Sequence, residues 1–353
     1  MKLLDRYIAR TILVVCVGVL FTITALDLLF AFIAELEDIR GDYTLSAAIE
    51  YTLMTAPRRF YEYVPMSVLV GCLVGLGLLA NNSELTVMRA AGISKLRILG
   101  AVMQPVLLLI LICTLLGEYV APRTEQAAVA ERAIARGGQD TLVQGGAWLR
   151  DAKRFLHVNA VRPDGSLHGI TFYQLGEQRT LAQAGFARRA DYRPDGQWLL
   201  QDIRVTHFEE GRTRVEQLAQ QAWTSALTPD LLKVLAADPE RMSMRGLYRY
   251  TQYLGGQDVN ATAYRLAFWN KLLLPVAVIG LVLVAMSFVF GPLRSVPMGQ
   301  RIMVGIVVGL TFKIVQDLLG PASTVYGFSP LIAALSPIAL CYLIGGWLLK
   351  QAR

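Results

Sequence analysis

Six long apolar segments, separated by polar stretches, dominate the hydropathy pattern of the chain. Each approaches the ~20 residues with which an α-helix crosses a bilayer. The pattern therefore predicts an α-helical polytopic membrane protein with six transmembrane helices. Five of the segments are residues 11–34, 64–80, 98–116, 302–319 and 330–349, and the remaining span follows the interfacial residues Phe268, Trp269 and Lys271 and ends near residue 290.

A second pattern begins near residue 139, where apolar and polar residues alternate with a period of two. Turn signals, including two copies of Pro-Asp-Gly, separate short stretches rich in β-branched and aromatic residues. We therefore expect an inserted all-β domain, a sandwich or β-jellyroll, with strands at 155–161, 169–175, 198–208 and 215–223. The predicted domains are 1–136 with the first three transmembrane helices, 137–240 with the β domain, and 241–353 with a connecting helix and the last three transmembrane helices.

The distribution of Lys and Arg predicts the orientation of these spans. Basic residues concentrate at both ends of the chain and in the segments after the second and fourth spans. The positive-inside rule then places both termini in the cytoplasm and the β domain in the periplasm. The net charge of +7 is explained by the same residues, so nucleic-acid binding is the weaker interpretation. All four cysteines lie in apolar runs, which excludes a disulfide framework.

The polar segment between the second and third spans, NNSELTVMRAAGIS, has the signals of a short helix over residues 83–92. Asn82 or Ser83 can cap its first N–H groups, Glu84 complements the positive helix start, and Gly92 can adopt the left-handed conformation that ends it. This predicted cytoplasmic helix is too short to be stable alone, so it needs packing contacts.

The apolar face of this helix carries Leu85, Met88 and Ala91 at helical spacing. One interpretation is a connector that lies on the lipid headgroups. The other is a docking helix that a soluble cytoplasmic protein binds in a groove. We therefore expect the apolar face to be covered by lipid or by a partner.

Three ionisable residues, Asp27, Lys313 and Asp317, fall inside the predicted spans. Asp27 is either a functional polar group or one satisfied by an interhelical hydrogen bond. Lys313 and Asp317 are four residues apart and can form an ion pair on one helix face. That pair either lines a substrate path or neutralises itself at a helix interface. An intramembrane enzyme would need a convergent polar site, and these residues are too sparse to build one.

The remaining candidate chemistry is limited. The histidines His157, His168 and His207 lie in the predicted strands, with no carboxylate or cysteine at ligand spacing, so no metal site is expected. No Gly-Lys dipeptide occurs, so the chain lacks a phosphate-binding GxxxxGK[ST] loop. A six-span protein with a docking helix and no catalytic residues is typical of the membrane half of an ATP-driven transporter whose ATPase is a separate chain.

Several motifs carry a resemblance to a known family. LDRYIARTI near the N-terminus, SELTVMRAAGIS after the second span and FGPLRSVPMG at residues 290–299 resemble the LptF/LptG lipopolysaccharide export permeases of Gram-negative bacteria. The likeness follows the whole chain in order and spacing, and FGPLRSVPMG favours the LptG branch over the paralogous LptF branch. The family has no enzymatic activity of its own, which implies a transport subunit without a cofactor.

The resemblance also implies partners and a path. It implies a heterodimer with LptF, a cytoplasmic LptB dimer that binds ATP and Mg, an LptC helix at a lateral gate formed with spans one and five, and an LptA bridge. Lipopolysaccharide would leave the outer leaflet of the inner membrane and pass along the β domain towards the outer membrane. The competing hypotheses are a membrane-anchored periplasmic lipid-binding or scaffold protein, and the paralogous permease LptF.

Residue roles follow from the same resemblance. Where some relatives carry lysines after the first span, this chain has Glu35, Glu37 and Asp38, which moves the expected lipid A phosphate contacts to arginines elsewhere. The implied sets are Ser83, Glu84, Leu85, Met88 and Arg89 for the coupling helix; Arg40, Arg58, Arg59, Arg123, Arg132 and Arg136 for the phosphate contacts; and Trp148, Phe155, Phe172 and Phe186 for the acyl-chain path.

Overall fold

The computed structural model describes residues 2–39, 43–135, 147–151, 154–161, 165–176, 180–193, 195–209, 212–225, 239–255, 262–291 and 296–351. These residues form two compact units. The first unit comprises Met1–Leu29, Ala56–Ala121 and Met242–Arg353, and the second comprises Phe30–Thr55 and Pro122–Arg241.

Helices account for most of the described residues. Six of them are long and apolar enough to cross a membrane, which confirms the predicted number of spans. The helices are α1 (Lys2–Glu37), α2 (Leu45–Asn81), α3 (Glu84–Ala90), α4 (Lys95–Leu115), α5 (Ala121–Ala135), α6 (Met244–Gly255), α7 (Thr262–Phe290), α8 (Met298–Tyr326) and α9 (Pro330–Gln351). A π-helical turn, Leu116–Val120, joins α4 to α5, so the third span continues without interruption into α5.

The core of the first unit lies between the spans. Helices α2 and α7 are covered over most of their apolar windows, whereas α1, α8 and α9 leave most of theirs exposed. Glycine lets the most tightly packed helices approach. A Cβ at Gly345 of α9 would lie 3.1 Å from the backbone of Leu283 and Val284 in α7. In lipid no hydrophobic driving force brings helices together, because lipid tails are as apolar as the side chains. Close approach instead stabilises the helix pair through dispersion contacts.

The described strands of the second unit form one antiparallel sheet. Each strand pairs with its neighbours in sequence, so the described strands form a meander. This confirms the predicted inserted all-β domain, although a jellyroll would have crossovers between two sheets. The strands are β1 (Ala147–Asp151), β2 (Arg154–Val161), β3 (Leu167–Leu175), β4 (Leu181–Tyr192), β5 (Gln197–Glu209) and β6 (Arg212–Thr224).

A crease crosses this sheet and inverts the alternation of its side chains. In β5, Leu200 and Ile203 are both buried although they are three residues apart, because Asp202 between them has φ +51°. In β3 the same inversion occurs at Gly169, where φ is +64°. A left-handed residue is one way to change the phase of a strand. The crease therefore keeps both halves of the sheet apolar on the same face, which carries the core of this unit.

Candidate functional site

The predicted docking segment forms the short helix α3. Glu84 is its first residue and Gly92, with φ +82°, ends the segment as expected. The predicted cap at its start is wrong: Ser83 has a left-handed φ of 59° and its side chain accepts no capping hydrogen bond. Asn82 instead donates to Glu84 Oε1 at 3.4 Å. The start of α3 is thus organised around the Glu84 carboxylate.

The apolar face of α3 packs inside the protein's own bundle. Leu85 and Met88 are only 4% and 7% exposed and belong to the same core cluster as Ile8 of α1 and Ile98 of α4. Covering one such side chain contributes about 1.5–3 kcal/mol. The expectation that lipid or a partner covers this face is therefore wrong, since the face is buried in the chain's own core. Leu85 and Met88 anchor α3 and cannot touch a partner directly in this conformation.

The opposite face of α3 is open. Val87 is 66% exposed, and Thr86, Arg89 and Ala90 are exposed beside it. Ala91, which was predicted on the buried face, is exposed as well. A partner that binds α3 would therefore contact a small, mixed surface around Val87 and Arg89.

Polar contacts tie the first turns of α1 to this region. The Tyr7 hydroxyl donates to Glu84 Oε1 at 3.2 Å. The Arg97 guanidinium in α4 forms an ion pair with Asp5 at 3.3 Å. Both contacts are exposed to solvent at least in part, and the ion pair is worth at most about 1 kcal/mol. They orient α1 relative to α3 and α4, whereas the apolar anchor supplies most of the stability.

In the first unit, the predicted site residues Asp27 and Arg59 lie together with Tyr63. We call these three residues the Asp27 cluster. The Asp27 carboxylate accepts hydrogen bonds from the Arg59 guanidinium and, at 2.8 Å, from the Tyr63 hydroxyl. Asp27 is thus satisfied by an interhelical hydrogen bond, one of the two predicted alternatives. Arg58 pairs with Glu62 one turn further along α2, at 2.8 Å.

In the second unit, the predicted site residue Arg132 lies among acidic and aromatic side chains. We call this group the Arg132 cluster, and it consists of Glu35, Asp38, Tyr43, Tyr51 and Arg132. The Arg132 guanidinium contacts Glu35 at 2.7 Å and Asp38 at 3.2 Å, and it lies 4.7 Å from the centre of the Tyr51 ring. The Tyr43 hydroxyl donates to Glu35 at 2.8 Å. Two of the three acidic residues that depart from the family pattern, Glu35 and Asp38, are therefore partners of Arg132.

The other phosphate-contact candidates differ from these. Arg123 on α5 is exposed, and among the described residues no carboxylate lies within ion-pair distance of it. Arg40 and Arg136 lie outside the described residues. Of the six predicted arginines, Arg123 is thus the described one whose charge is not already paired with a carboxylate.

The predicted acyl-chain residues do not share one face of the sheet. Phe172 is buried on the apolar face, beside Leu156 in register. Phe186 pairs with Thr171, and Phe155 pairs with Tyr173, so both lie on the opposite face. Trp148 is paired in register with His157 of β2.

Lys313 and Asp317 form the predicted ion pair on α8, at 2.9 Å. Both side chains are 56% exposed. They therefore do not neutralise each other at an interface within this chain. Because charged groups at membrane depth avoid lipid, we expect this face of α8 to meet protein or water.

Six described helices that are long and apolar enough to span a membrane, a short helix between the second and third, and a β domain between the third and fourth point to a multi-pass membrane protein. The family model described as "Lipopolysaccharide export system permease LptF/LptG" matches residues 6–351, and the chain belongs to that family.

Relatives within the family narrow the comparison. The chain is 37% identical to the lipopolysaccharide export system permease protein LptG of Escherichia coli (strain K12), over 99% of this chain and 98% of that protein. It is 36% identical to the LptG protein of Haemophilus influenzae, over 99% of both chains. The predicted resemblance to the LptG branch is thereby confirmed, and both relatives are named as permeases of a transport system.

Proposed function

We propose that this chain is the LptG-type permease subunit of an ABC transporter in the inner membrane of Gram-negative bacteria. It extracts lipopolysaccharide from the outer leaflet and passes it through the β domain, in the periplasm, towards the outer membrane. ATP hydrolysis takes place in a separate LptB dimer, which holds ATP and Mg, so this chain needs no cofactor. The observation that carries the proposal is α3, which is anchored internally by Leu85 and Met88 and presents an open face around Val87.

The anchoring of α3 supports its role as a coupling helix, which would lie in the cytoplasm between the second and third spans. A partner that binds the Val87 face displaces a helix whose other face is buried in the core of the bundle. Packed helices move as rigid bodies, so the displacement is shared by α1, α2 and α4. Ser83, Glu84 and Arg89 flank the contact surface, and Glu84 would exchange its Tyr7 contact for one with LptB.

The exposed spans support a second permease as partner. Helices α1 and α8, the first and fifth spans, leave most of their apolar surface uncovered. The Lys313 and Asp317 pair lies on the exposed surface of α8, where a protein neighbour or an aqueous cavity suits it better than lipid. We assign these spans to a lateral gate with LptF, at which the single helix of LptC also binds.

The lipid path follows from the available charges and apolar faces. Lipid A phosphates would have to compete with Asp27, Glu62, Glu35 and Asp38 for the paired arginines, whereas Arg123 is open to them. Arg123 is therefore the preferred phosphate contact. For the acyl chains, the face of the sheet that carries Phe172 is preferred over the face of Phe155 and Phe186, because it holds the larger apolar cluster. From this domain lipopolysaccharide would pass to LptC and the LptA bridge.

The test is co-purification with LptB and LptF of the wild type and of Val87→Asp, followed by lipopolysaccharide-dependent ATP hydrolysis in nanodiscs. Val215→Asp is the matched control, because Val215 on β6 is a similarly exposed valine. We expect Val87→Asp to keep LptF but lose LptB and at least about tenfold of the coupled activity, which corresponds to about 1.4 kcal/mol. The control should behave as the wild type.

If Val87→Asp retains LptB and full activity, α3 is only a connector between two spans. The alternative of a membrane-anchored periplasmic lipid-binding or scaffold protein would then be preferred. That alternative predicts that any substitution on the exposed face of α3 is silent, while substitutions on the apolar face of the sheet abolish lipid binding.

A further inference from the structure

Arg301 lies in the first turn of α8 and is entirely buried, with 0% exposure. Its guanidinium Nη1 donates a hydrogen bond to the carbonyl oxygen of Gly77 in α2, at 2.8 Å. A cation at a helix N-terminus opposes the helix dipole, and burying it removes its hydration. Neither local helix preference nor the positive-inside rule explains this position, so the reason lies in what Arg301 contacts.

The surface of α2 has room for the guanidinium only because residue 77 is glycine. A Cβ on Gly77 would lie 2.6 Å from Arg301 Nη1 and 3.2 Å from its Cδ. Gly77 is one turn before the end of α2 at Asn81, and α3 begins at Glu84. The hydrogen bond therefore joins the start of the fifth span to the helix end from which α3 continues.

The neighbouring contacts between α8 and α2 are of a different kind. Gly305 lies against Leu73 and Gly309 lies against Met66, at intervals of one turn after Arg301. These contacts are apolar, so their preference for one register rests on packing alone. The Arg301 hydrogen bond is directional and fixes the register of α8 against α2.

We propose that Arg301 is a positioning residue that transmits the displacement of α3 to α8, and thereby couples ATP hydrolysis in the partner subunit to movement of the fifth span. This inference rests on the proposed function. Leu85 and Met88 make α3 move together with the end of α2, and Arg301 makes α8 follow that end. The coupling requires both the guanidinium and the empty Cβ position of Gly77.

The experiment uses the complex of this chain with LptB and LptF in proteoliposomes that contain lipopolysaccharide. The measured quantity is lipopolysaccharide released per ATP hydrolysed. The variants are Arg301→Gln, Arg301→Lys, which keeps the charge but loses the planar fork, and Gly77→Ala. Gly346→Ala is the matched control, since nothing lies within 4 Å of a Cβ at that helical glycine.

We expect Arg301→Gln and Gly77→Ala to lower the ratio at least about fivefold, the lower end of typical coupling effects. Assembly and ATP hydrolysis should stay within about twofold of the wild type, because the exposed face of α3 is unchanged. The ratio for Arg301→Lys should lie between the ratio for these two variants and that of the wild type. Gly346→Ala should keep the wild-type ratio.

A second readout does not depend on transport. Spin labels at Leu96, in the first turn of α4 directly after the α3 segment, and at Met303 in α8 report the distance between this region and α8 with and without ATP, and both positions are well exposed. In the wild type the distance should stay constant between the two conditions, whereas in Gly77→Ala it should change or broaden.

The outcomes separate the two hypotheses. An unchanged ratio and an unchanged label distance in Gly77→Ala overturn the role of Arg301. Loss of assembly in every Arg301 and Gly77 variant overturns it too, since that result assigns the contact to folding alone. A wild-type complex that hydrolyses ATP without releasing lipopolysaccharide contradicts the proposed function itself, whatever the variants do.

Discussion

At α3 the interior contacts are made by the apolar residues Leu85 and Met88, whereas in the Asp27 and Arg132 clusters charged residues make them. Leu85 and Met88 fix α3 to the bundle and leave Val87 and Arg89 open. Arg59 and Arg132 are instead bonded to carboxylates of the same chain. An apolar anchor frees the polar face of a helix for a partner, while an internal ion pair occupies the charge that a ligand would need.

The largest expected effect tests the anchor. Replacing Leu85 by Ala removes a buried side chain and should lower the free energy of unfolding by about 2–5 kcal/mol. Val87→Ala on the exposed face should change it by no more than about 0.5 kcal/mol. The measurement is unfolding of the purified chain in a detergent and denaturant titration, followed by tryptophan fluorescence. Equal losses in the two variants would mean that α3 has no preferred face.

The next effect tests whether the Arg132 cluster is structural. Arg132→Ala removes the cation that lies 2.7 Å from the Glu35 carboxylate, whose side chain is 8% exposed, and should cost about 1–3 kcal/mol of stability. Arg123→Ala should change stability by no more than about 0.5 kcal/mol, because Arg123 is exposed. The same unfolding titration measures both variants.

Lipopolysaccharide binding by the same pair of variants should show the reverse order. Arg123→Ala removes a charge-assisted contact to phosphate and should weaken binding about tenfold or more. Arg132→Ala should leave binding within about threefold of the wild type, as measured by titration of fluorescent lipopolysaccharide. If Arg132→Ala instead weakens binding and leaves stability unchanged, Arg132 exchanges its carboxylates for phosphate, and the distinction between the two regions fails.

The sequence predicted the helices and strands of this protein better than it predicted which of their faces are buried. The spans follow from the length of apolar runs, and the end of α3 follows from Gly92, because both signals are local. The side of α3 that is covered depends on α1 and α4, which no local pattern specifies. Leu85 and Met88 were therefore assigned to a partner, although the protein's own helices cover them.

Long-range polar contacts were missed for the same reason. Glu35 and Asp38 were expected to displace the phosphate contacts to other residues, yet they pair with Arg132, more than ninety residues away. Arg301 was explained by topology alone, because its burial depends on Gly77 in another helix. A buried charge and the glycine that accommodates it leave no joint signal in a single sequence. The i,i+4 pair of Lys313 and Asp317 was predictable because both residues share one helix face.

The smallest expected effect on stability comes from the exposed polar contacts around α3, and we compare it with the effect of the Asp27 cluster. Asp5→Asn removes the carboxylate charge that pairs with Arg97, in a contact whose side chains are 29% and 34% exposed, and should cost about 0.5 kcal/mol or less. The loss should disappear in 1 M salt, where the Debye length falls to about 3 Å. Asp27→Asn should cost more at every salt concentration, because Arg59 is more deeply buried and Tyr63 also donates to Asp27.

Unfolding titrations of both variants at low and high salt provide the measurement. A salt-independent loss in Asp5→Asn would show that water does not reach the Arg97 pair. The start of α1 would then be held to α4 by an interior ion pair, as Arg59 and Arg132 are held, and not mainly by apolar contacts. In that case α1 could not release Glu84 to a partner without breaking a buried contact, and the open face of α3 would no longer suffice to explain coupling.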